Sequence, residues 1–254
     1  MRARGRVVVT LALLLGGPAG VLSVQGDDSL PATVTLVMDD LAYDRALARR
    51  TLALPRPFTA AILPESPLAE AVAAEAAANG IDVMLHLPMD TGNAQAAYPI
   101  TVTGDMTPEE IRATVRAGLA ALPTAVAVNN HEGSALTGDR QAMAVVMDEL
   151  ARSDDLLFVD SRTDPATVAE QEAVRAGLAA TRRNVFLDHD PAPAAVERAV
   201  DEWLETAQRQ GCALAIGHPR PATLAVLERR LGELGEAVER VDLATYIERC
   251  GHQP

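Results

Sequence analysis

The sequence predicts an α/β protein built on a parallel β-sheet that helices cover on both faces. Short apolar runs alternate with segments of helical periodicity along the chain. The runs are apolar at successive positions, as expected of strands buried on both sides. Nearly every run also ends in polar residues, which is where parallel α/β folds place their sites. Periodicity does not decide whether such a sheet closes into a barrel.

Seven strands and seven helices are expected. The strands are 33–38, 58–63, 81–86, 125–128, 156–159, 184–187 and 212–216. The helices are 41–54, 66–79, 107–122, 139–152, 165–177, 193–210 and 221–234. The helix over 107–122 has the clearest start, because Thr107 and Glu110 can form a capping box around Pro108 at the first helical position.

The first 26 residues have the pattern of a secretory signal peptide. Arginines precede an apolar run from Val7 to Leu15, which glycines and a proline follow. An uncleaved N-terminal anchor is the alternative, because no clear cleavage site follows the run. Either interpretation predicts that residues 32–250 form one domain outside the cytoplasm, periplasmic or secreted, and no later stretch is apolar enough to span a membrane.

The composition excludes several classes of function. The formal net charge is −13, which argues against nucleic acid as a partner. All 22 basic residues are arginine, so lysine-dependent Schiff-base and phosphate-binding chemistry is excluded. Only Cys212 and Cys250 are present, which excludes cysteine-rich zinc sites. These two cysteines could form one disulfide outside the cytoplasm, which would hold the C-terminal tail.

Residues suited to catalysis or metal binding follow the apolar runs. The stretch "TVTLVMDDLAYD" ends its run in Asp39 and Asp40, and His86, His131 and His218 close or follow other runs. Because parallel strands end at a common edge, these side chains are expected to meet. Taken singly, each has a structural alternative: Asp40 could cap the following helix, and a lone histidine is often only hydrogen-bonded.

Two histidines with one carboxylate would leave open positions on a divalent ion, which suits Zn²⁺ or another first-row metal. Such an ion lowers the pKa of bound water and polarises a carbonyl group, while a nearby free carboxylate accepts the proton. Two adjacent aspartates could divide the roles of ligand and base. The pattern therefore indicates a metal-assisted hydrolase.

Seven motifs occur in an order and spacing that resembles the divergent polysaccharide deacetylase family. They are "VMDDLAYD", "AAILPESP", "VMLHLPMD", "VNNHEGSALT", "FVDSRT", "VFLD" and "AIGHP". The resemblance covers roughly residues 32–245. It implies a distorted (β/α)7 barrel, a divalent metal, with Zn²⁺ the expected ion, and hydrolysis of acetyl groups on an N-acetylated envelope polysaccharide.

The resemblance also implies the metal ligands. Asp40 would bind the metal, and His86 stands where the wider superfamily begins a His-x-x-x-His motif. The second histidine of that motif is missing, because Asp90 occupies its position. His131 of "NNHEGS" is the expected replacement.

The catalytic roles implied by the resemblance fall on four residues. Asp39 would be the general base, His218 the general acid toward the leaving group, and Arg162 and Asp160 of "DSRT" would orient the catalytic groups. One alternative is a carbohydrate-binding or regulatory envelope protein of the same fold without turnover, which the missing histidine favours. Another is a hydrolase of phosphoesters, because fold alone does not choose the reaction.

Overall fold

The structure, a computed structural model, describes residues 31–93 and 98–252. The signal peptide or anchor expected over residues 1–26 lies outside this range. Among the described residues, none of the helices is long and apolar enough to cross a bilayer.

The described residues form nine strands and eight α-helices. The strands are β1 (Ala32–Leu41), β2 (Thr59–Ile62), β3 (Asp82–Met89), β4 (Ala125–Glu132), β5 (Leu157–Asp160), β6 (Ala180–Arg182), β7 (Val185–Phe186), β8 (Cys212–Gly217) and β9 (Val238–Arg240). The helices are α1 (Arg45–Leu52), α2 (Ala69–Ala78), α3 (Pro108–Ala121), α4 (Arg140–Leu150), α5 (Ala169–Arg175), α6 (Pro193–Gln210), α7 (Pro221–Arg230) and α8 (Leu243–Cys250).

The strands pair in parallel and follow the order of a (β/α) barrel. β1 to β6 lie side by side in chain order, β8 pairs with the other edge of β1, and β7 lies beyond β8. β9 adds a short parallel pairing to the start of β1. No bridge joins β6 to β7 within the described part of the chain, so the barrel is open there. The expected distorted barrel is therefore confirmed.

All seven predicted strands are present, as β1 to β5, β7 and β8. The capping box at the start of α3 is also confirmed, because Thr107 and Glu110 make both of its hydrogen bonds. The sequence analysis missed β6, β9 and α8. β6 and β9 are short and contain charged residues, so no apolar run marks them. Helix α8 has a usable signal, because Asp242 accepts a hydrogen bond from the backbone N–H of Thr245 at the first turn.

Alternation along the strands separates two apolar clusters. The larger cluster faces the surrounding helices and includes Leu36 and Leu85. The smaller one fills the barrel interior and is closed by α8. Its members are Val37, Ala61, Met84, Ala127, Val159, Leu214, Ile216, Val241, Leu243, Tyr246 and Ile247. A disulfide between Cys212 at the start of β8 and Cys250 fixes α8 at the N-terminal end of the barrel. Polar side chains occupy the C-terminal end of the interior.

Candidate metal centre

The polar side chains at the C-terminal end of the barrel continue the interior face of their strands. Residues two apart in a strand point to the same side. An apolar residue of the interior cluster is therefore followed, two positions later, by a polar residue that faces the same space. Three such pairs are Met84 and His86, Ala127 and Asn129, and Ile216 and His218.

Asp39 and Asp40 reach one site although they are neighbours in β1. Alternation places Asp39 on the interior face with Val37 and would direct Asp40 outward. However, the pairing of β1 with β2 is irregular between Met38 and Leu41. Asp40 has a φ of 55°, in the left-handed region that aspartate tolerates better than most residues. This bulge turns both carboxylates to the same side.

The alternative that Asp40 caps the following helix is wrong. Helix α1 begins after Asp44, whose carboxylate accepts hydrogen bonds from the backbone N–H groups of Ala46 and Leu47. Asp40 is thus free of a capping role and faces the barrel interior.

Asp40, His86 and His131 form a compact cluster. Asp40 Oδ1 lies 3.3 Å from His86 Nε2 and 3.1 Å from His131 Nδ1. The two ring nitrogens are 3.0 Å apart. The structure thus brings together the three residues that the sequence analysis nominated as ligands. Asp90 takes no part, because its carboxylate accepts hydrogen bonds from two glycine N–H groups of its own loop region.

The three facing atoms have the spacing of ligands around one tetrahedral ion. Ligand atoms about 2.0–2.1 Å from zinc at tetrahedral angles would be about 3.3 Å apart. The observed separations are 3.0–3.3 Å. Asp40 Oδ1 is also buried and faces the two ring nitrogens, and a buried carboxylate oxygen is costly unless a positive charge lies beside it. The residues therefore fit a divalent metal with two histidines and one carboxylate.

The electrostatics of the cluster favour a cation. Burial alone would raise the pKa of Asp40, but the ring nitrogens of His131 and His86 hold it well below its usual range. Burial alone would lower the pKa of His86, but the charges of Asp39 and Asp40 and a hydrogen bond to Asn129 raise it to about 9. A histidine that binds a metal must be neutral, so a metal would compete with a proton for His86.

Asn129 joins Asp39 to His86. Its amide Nδ2 donates a hydrogen bond to Asp39 Oδ1 at 2.9 Å, and its Oδ1 lies 2.7 Å from His86 Nδ1. An ionised carboxylate only accepts hydrogen bonds, so Nδ2 must face Asp39 and Oδ1 must face the ring. His86 Nδ1 is therefore the donor. In the neutral ring the lone pair lies on Nε2, the atom that faces Asp40 and His131.

His218 is held by Asp188, to which the sequence analysis gave no role. Asp188 Oδ1 lies 2.8 Å from His218 Nδ1, and Oδ2 accepts hydrogen bonds from the His218 backbone N–H and the Thr223 hydroxyl. Burial alone would lower the pKa of His218, but the hydrogen bond to Asp188 and the charges of nearby aspartates raise it. His218 Nε2 faces the site, 3.6 Å from Asp40 Oδ2.

Asp160 ends β5 and Arg162 follows it by two residues, and among the described residues neither side chain forms a hydrogen bond or ion pair with the aspartate pair or the site histidines. Asp160 accepts hydrogen bonds from the backbone N–H of Arg162 and the hydroxyl of Thr167, so its carboxylate stabilises its own loop. Direct hydrogen bonds to Asp39 and His218 come from Asn129 and Asp188. Both were detectable from the sequence: Asn129 shares the strand face of His131, and Asp188 ends the apolar run "VFLD".

Two tyrosines stand at the mouth of the site. Tyr98 packs edge-on against the ring of His131, with centroids 5.2 Å apart. Tyr43 interacts with Tyr98 and is one of the exposed large side chains. Trp203 is fully buried under β8, where its indole N–H donates to the carbonyl of Ala213. Of these three aromatic residues, only the tyrosines can therefore contact a ligand.

Comparisons with known proteins agree with this architecture. The sequence model of the divergent polysaccharide deacetylase family matches residues 36–247. The uncharacterised protein YibQ of Escherichia coli K12 is 35% identical over 218 residues, which cover 86% of this chain and 68% of that protein. An uncharacterised Haemophilus influenzae protein is 34% identical over 210 residues, covering 83% and 75% of the two chains. The crystal structure of an uncharacterised Agrobacterium tumefaciens C58 protein matches the fold with a TM-score of 0.79 at 18% identity, over 87% of this chain and 91% of that one.

Proposed function

The chain belongs to the divergent polysaccharide deacetylase family, and from that membership we propose that it is a metal-dependent hydrolase. Its substrate is an N-acetylated polysaccharide of the cell envelope, from which it removes acetyl groups outside the cytoplasm. The extracytoplasmic location rests on the signal-like first 26 residues and agrees with the Cys212–Cys250 disulfide.

One observation carries the proposal: three ligand atoms face one another at metal-site spacing, with a second carboxylate beside them. Asp40, His86 and His131 would hold the ion. Asp39 Oδ2 lies 3.6 Å from His86 Nε2, so its carboxylate adjoins the cluster, while its other oxygen is held by Asn129. A divalent ion bound there would supply a more acidic water and polarise the acetyl carbonyl.

The remaining chemistry falls to two side chains of the protein. Asp39 accepts the proton that water loses as its oxygen attacks the acetyl carbon. His218 gives the proton on Nε2 to the sugar nitrogen as the C–N bond breaks, so that acetate and a free amine leave. The raised pKa of His218 supports this role, because an acid must be protonated at the start of its step. Asp188 keeps the ring oriented by holding Nδ1–H.

The tyrosines at the mouth suit a sugar ligand. Tyr98 places aromatic surface beside His131, and Tyr43 adjoins Tyr98. Aromatic rings bury apolar area while their hydroxyl groups remain available for hydrogen bonds. They would therefore support the acetylated sugar at the ion.

The test measures acetate release and zinc content together. Zinc-loaded wild type is expected to release acetate from oligomers of N-acetylglucosamine. Asp39→Asn is expected to keep zinc and to release acetate about 10²–10⁴ times more slowly, the usual contribution of a general base. His86→Ala and Asp40→Asn are expected to lose zinc. His252→Ala is the matched control, because this histidine contacts Glu170 away from the cluster.

Three results would contradict the proposal. Equal rates for wild type and Asp39→Asn would exclude Asp39 as the base. Full zinc content in His86→Ala would exclude the ligand set. A zinc-loaded wild type that binds the oligomers without releasing acetate would favour the alternative, a carbohydrate-binding envelope protein of the same fold.

A further inference from the structure

A cavity lies near His218, on the far side of Phe186. It has a volume of about 450 Å³, within the range of small-ligand sites. Arg162, Arg183, Phe186 and His189 are among its lining residues. The ring of Phe186 lies 5.3 Å from the ring of His218, so this residue separates the cavity from the proposed general acid.

The two arginines of the cavity lack carboxylate partners among the described residues. The Arg183 guanidinium donates hydrogen bonds to the backbone carbonyls of Ser161 and Arg162 and stacks over Phe186 at 4.8 Å. The Arg162 guanidinium makes no hydrogen bond or ion pair within the described segments, although the residue is only partly exposed. Three of the five other partly buried arginines in the described segments pair with an acidic side chain, as Arg230 does with Glu197.

The positive charge of the cavity is not neutralised from within. Burial and the charge of Arg162 lower the pKa of Arg183, although Asp39 and Asp160 act in the opposite direction. Asp160 is already engaged by its own loop. Arg162 also has a φ of 49°, an uncommon conformation for a residue other than glycine, and such positions cluster at ligand sites.

These contacts point to an anionic ligand next to the site of deacetylation. A guanidinium group presents planar, paired donors that match a carboxylate. The net charge of −13 would repel a densely charged polymer, so the ligand carries isolated negative charges.

We propose that the cavity binds the carboxylate of an acidic sugar adjacent to the one that loses its acetyl group. The substrate would then be a mixed glycan in which N-acetylated and acidic sugars occur side by side. This inference rests on the proposed function, since it takes the metal cluster as the place where the acetylated sugar lies.

The experiment compares two oligomers of equal length on zinc-loaded protein. One contains only N-acetylglucosamine, and the other alternates N-acetylglucosamine with glucuronic acid. Binding is measured by calorimetry in the Asp39→Asn background, so that turnover does not consume the ligand. We expect the acidic oligomer to bind at least about 10 times more tightly, and this preference to shrink as sodium chloride is raised.

Variants test whether the arginines cause the preference. Arg162→Gln is expected to weaken binding of the acidic oligomer about tenfold and of the neutral oligomer less than about twofold, the usual scale for losing one charge-assisted contact. Arg162→Lys keeps the charge and should keep part of the preference. Arg198→Gln, an exposed arginine of α6, is the matched control and should change neither affinity.

The outcomes separate this inference from the proposed function. Equal binding of the two oligomers, or an equal loss for both in Arg162→Gln, would overturn the inference while acetate release by wild type still supported a deacetylase. Arginine-dependent preference for the acidic oligomer without acetate release from either one would support a carboxylate-binding cavity and overturn the hydrolase.

Discussion

At the scale of single residues, the candidate site depends on which atom of each ring carries a proton. His86 and His218 are both fixed through Nδ1, by Asn129 and by Asp188. Each Nε2 is consequently directed at the centre of the site. Metal-binding and catalytic histidines generally need such a partner, because it sets both the tautomer and the ring orientation.

Replacing Asn129 is expected to weaken metal binding without removing a ligand. In Asn129→Ala the Nδ1–H of His86 loses its acceptor and Asp39 loses a donor, so the ring can adopt the other tautomer. We expect zinc affinity, measured by competition with a chelator, to fall about 10–100-fold. Asn79→Ala, an exposed asparagine at the end of α2, should leave the affinity unchanged. An unaltered affinity in Asn129→Ala would show that another contact fixes the ring.

At the scale of elements, irregular backbone at the strand ends directs the site residues. Of the five non-glycine residues with positive φ in the described segments, four lie at the C-terminal ends of site strands: Asp40 in β1, Ala42 just after β1, Glu132 in β4 and Arg162 after β5. A regular strand would send neighbouring side chains to opposite faces. These irregularities explain how Asp39 and Asp40 serve one site.

The turn after β4 provides an element-scale prediction. Gly133 has a φ of 88°, and an added Cβ would lie 2.8 Å from Met89 Cβ. Gly133→Ala is therefore expected to lower the free energy of unfolding by about 2–4 kcal/mol, through left-handed strain and crowding together. It should also weaken zinc binding, because Gly133 follows His131 by two residues. Both effects can be measured by denaturant unfolding and chelator competition.

Gly177 offers a control that separates left-handed backbone strain from crowding by the added Cβ. Its φ is 92°, but an added Cβ would meet nothing within 4 Å. Gly177→Ala should cost only the strain, about 1–2 kcal/mol, and leave zinc affinity intact. If Gly133→Ala were no more destabilised than Gly177→Ala, the close approach to Met89 would not be what requires glycine.

At the scale of the whole molecule, the barrel interior is apolar at its N-terminal end and carries the polar residues of the candidate site at its C-terminal end. Helix α8 covers the interior at the N-terminal end, where Tyr246 and Ile247 join the interior cluster. The polar cluster occupies the other end. The interior cluster therefore packs beneath the site residues, and α8 is an integral part of the domain.

The disulfide is expected to contribute to the stability of the whole domain. It joins residues 38 apart in sequence, and closing a loop of that length stabilises a protein by about 2–4 kcal/mol. The double variant Cys212→Ser and Cys250→Ser should lose this amount in denaturant unfolding of the oxidised protein. Wild type treated with reductant should match the variant. Equal stability of oxidised wild type and the variant would mean that the bond does not form in solution.

The sequence by itself determined seven of the nine described strands, the capping box of α3 and the residues nominated for the metal site. These follow from local patterns: apolar runs, helical periodicity and polar residues at run ends. The motif order further indicated the family. A local pattern depends only on residues close together in the sequence, so it can be recognised before the fold is known.

Only the tertiary structure decided which partners hold each nominated residue and which way its side chain faces. Asn129 and Asp188 acquire roles through partners 43 and 30 residues away in sequence. The bulge that turns Asp40 inward depends on the pairing of β1 with β2. Arg162, expected to orient the catalytic groups, lines a separate cavity with Arg183. Such relations between distant segments exist only when the sheet forms, because hydrogen bonds and close approaches are set by distance in space and not along the chain.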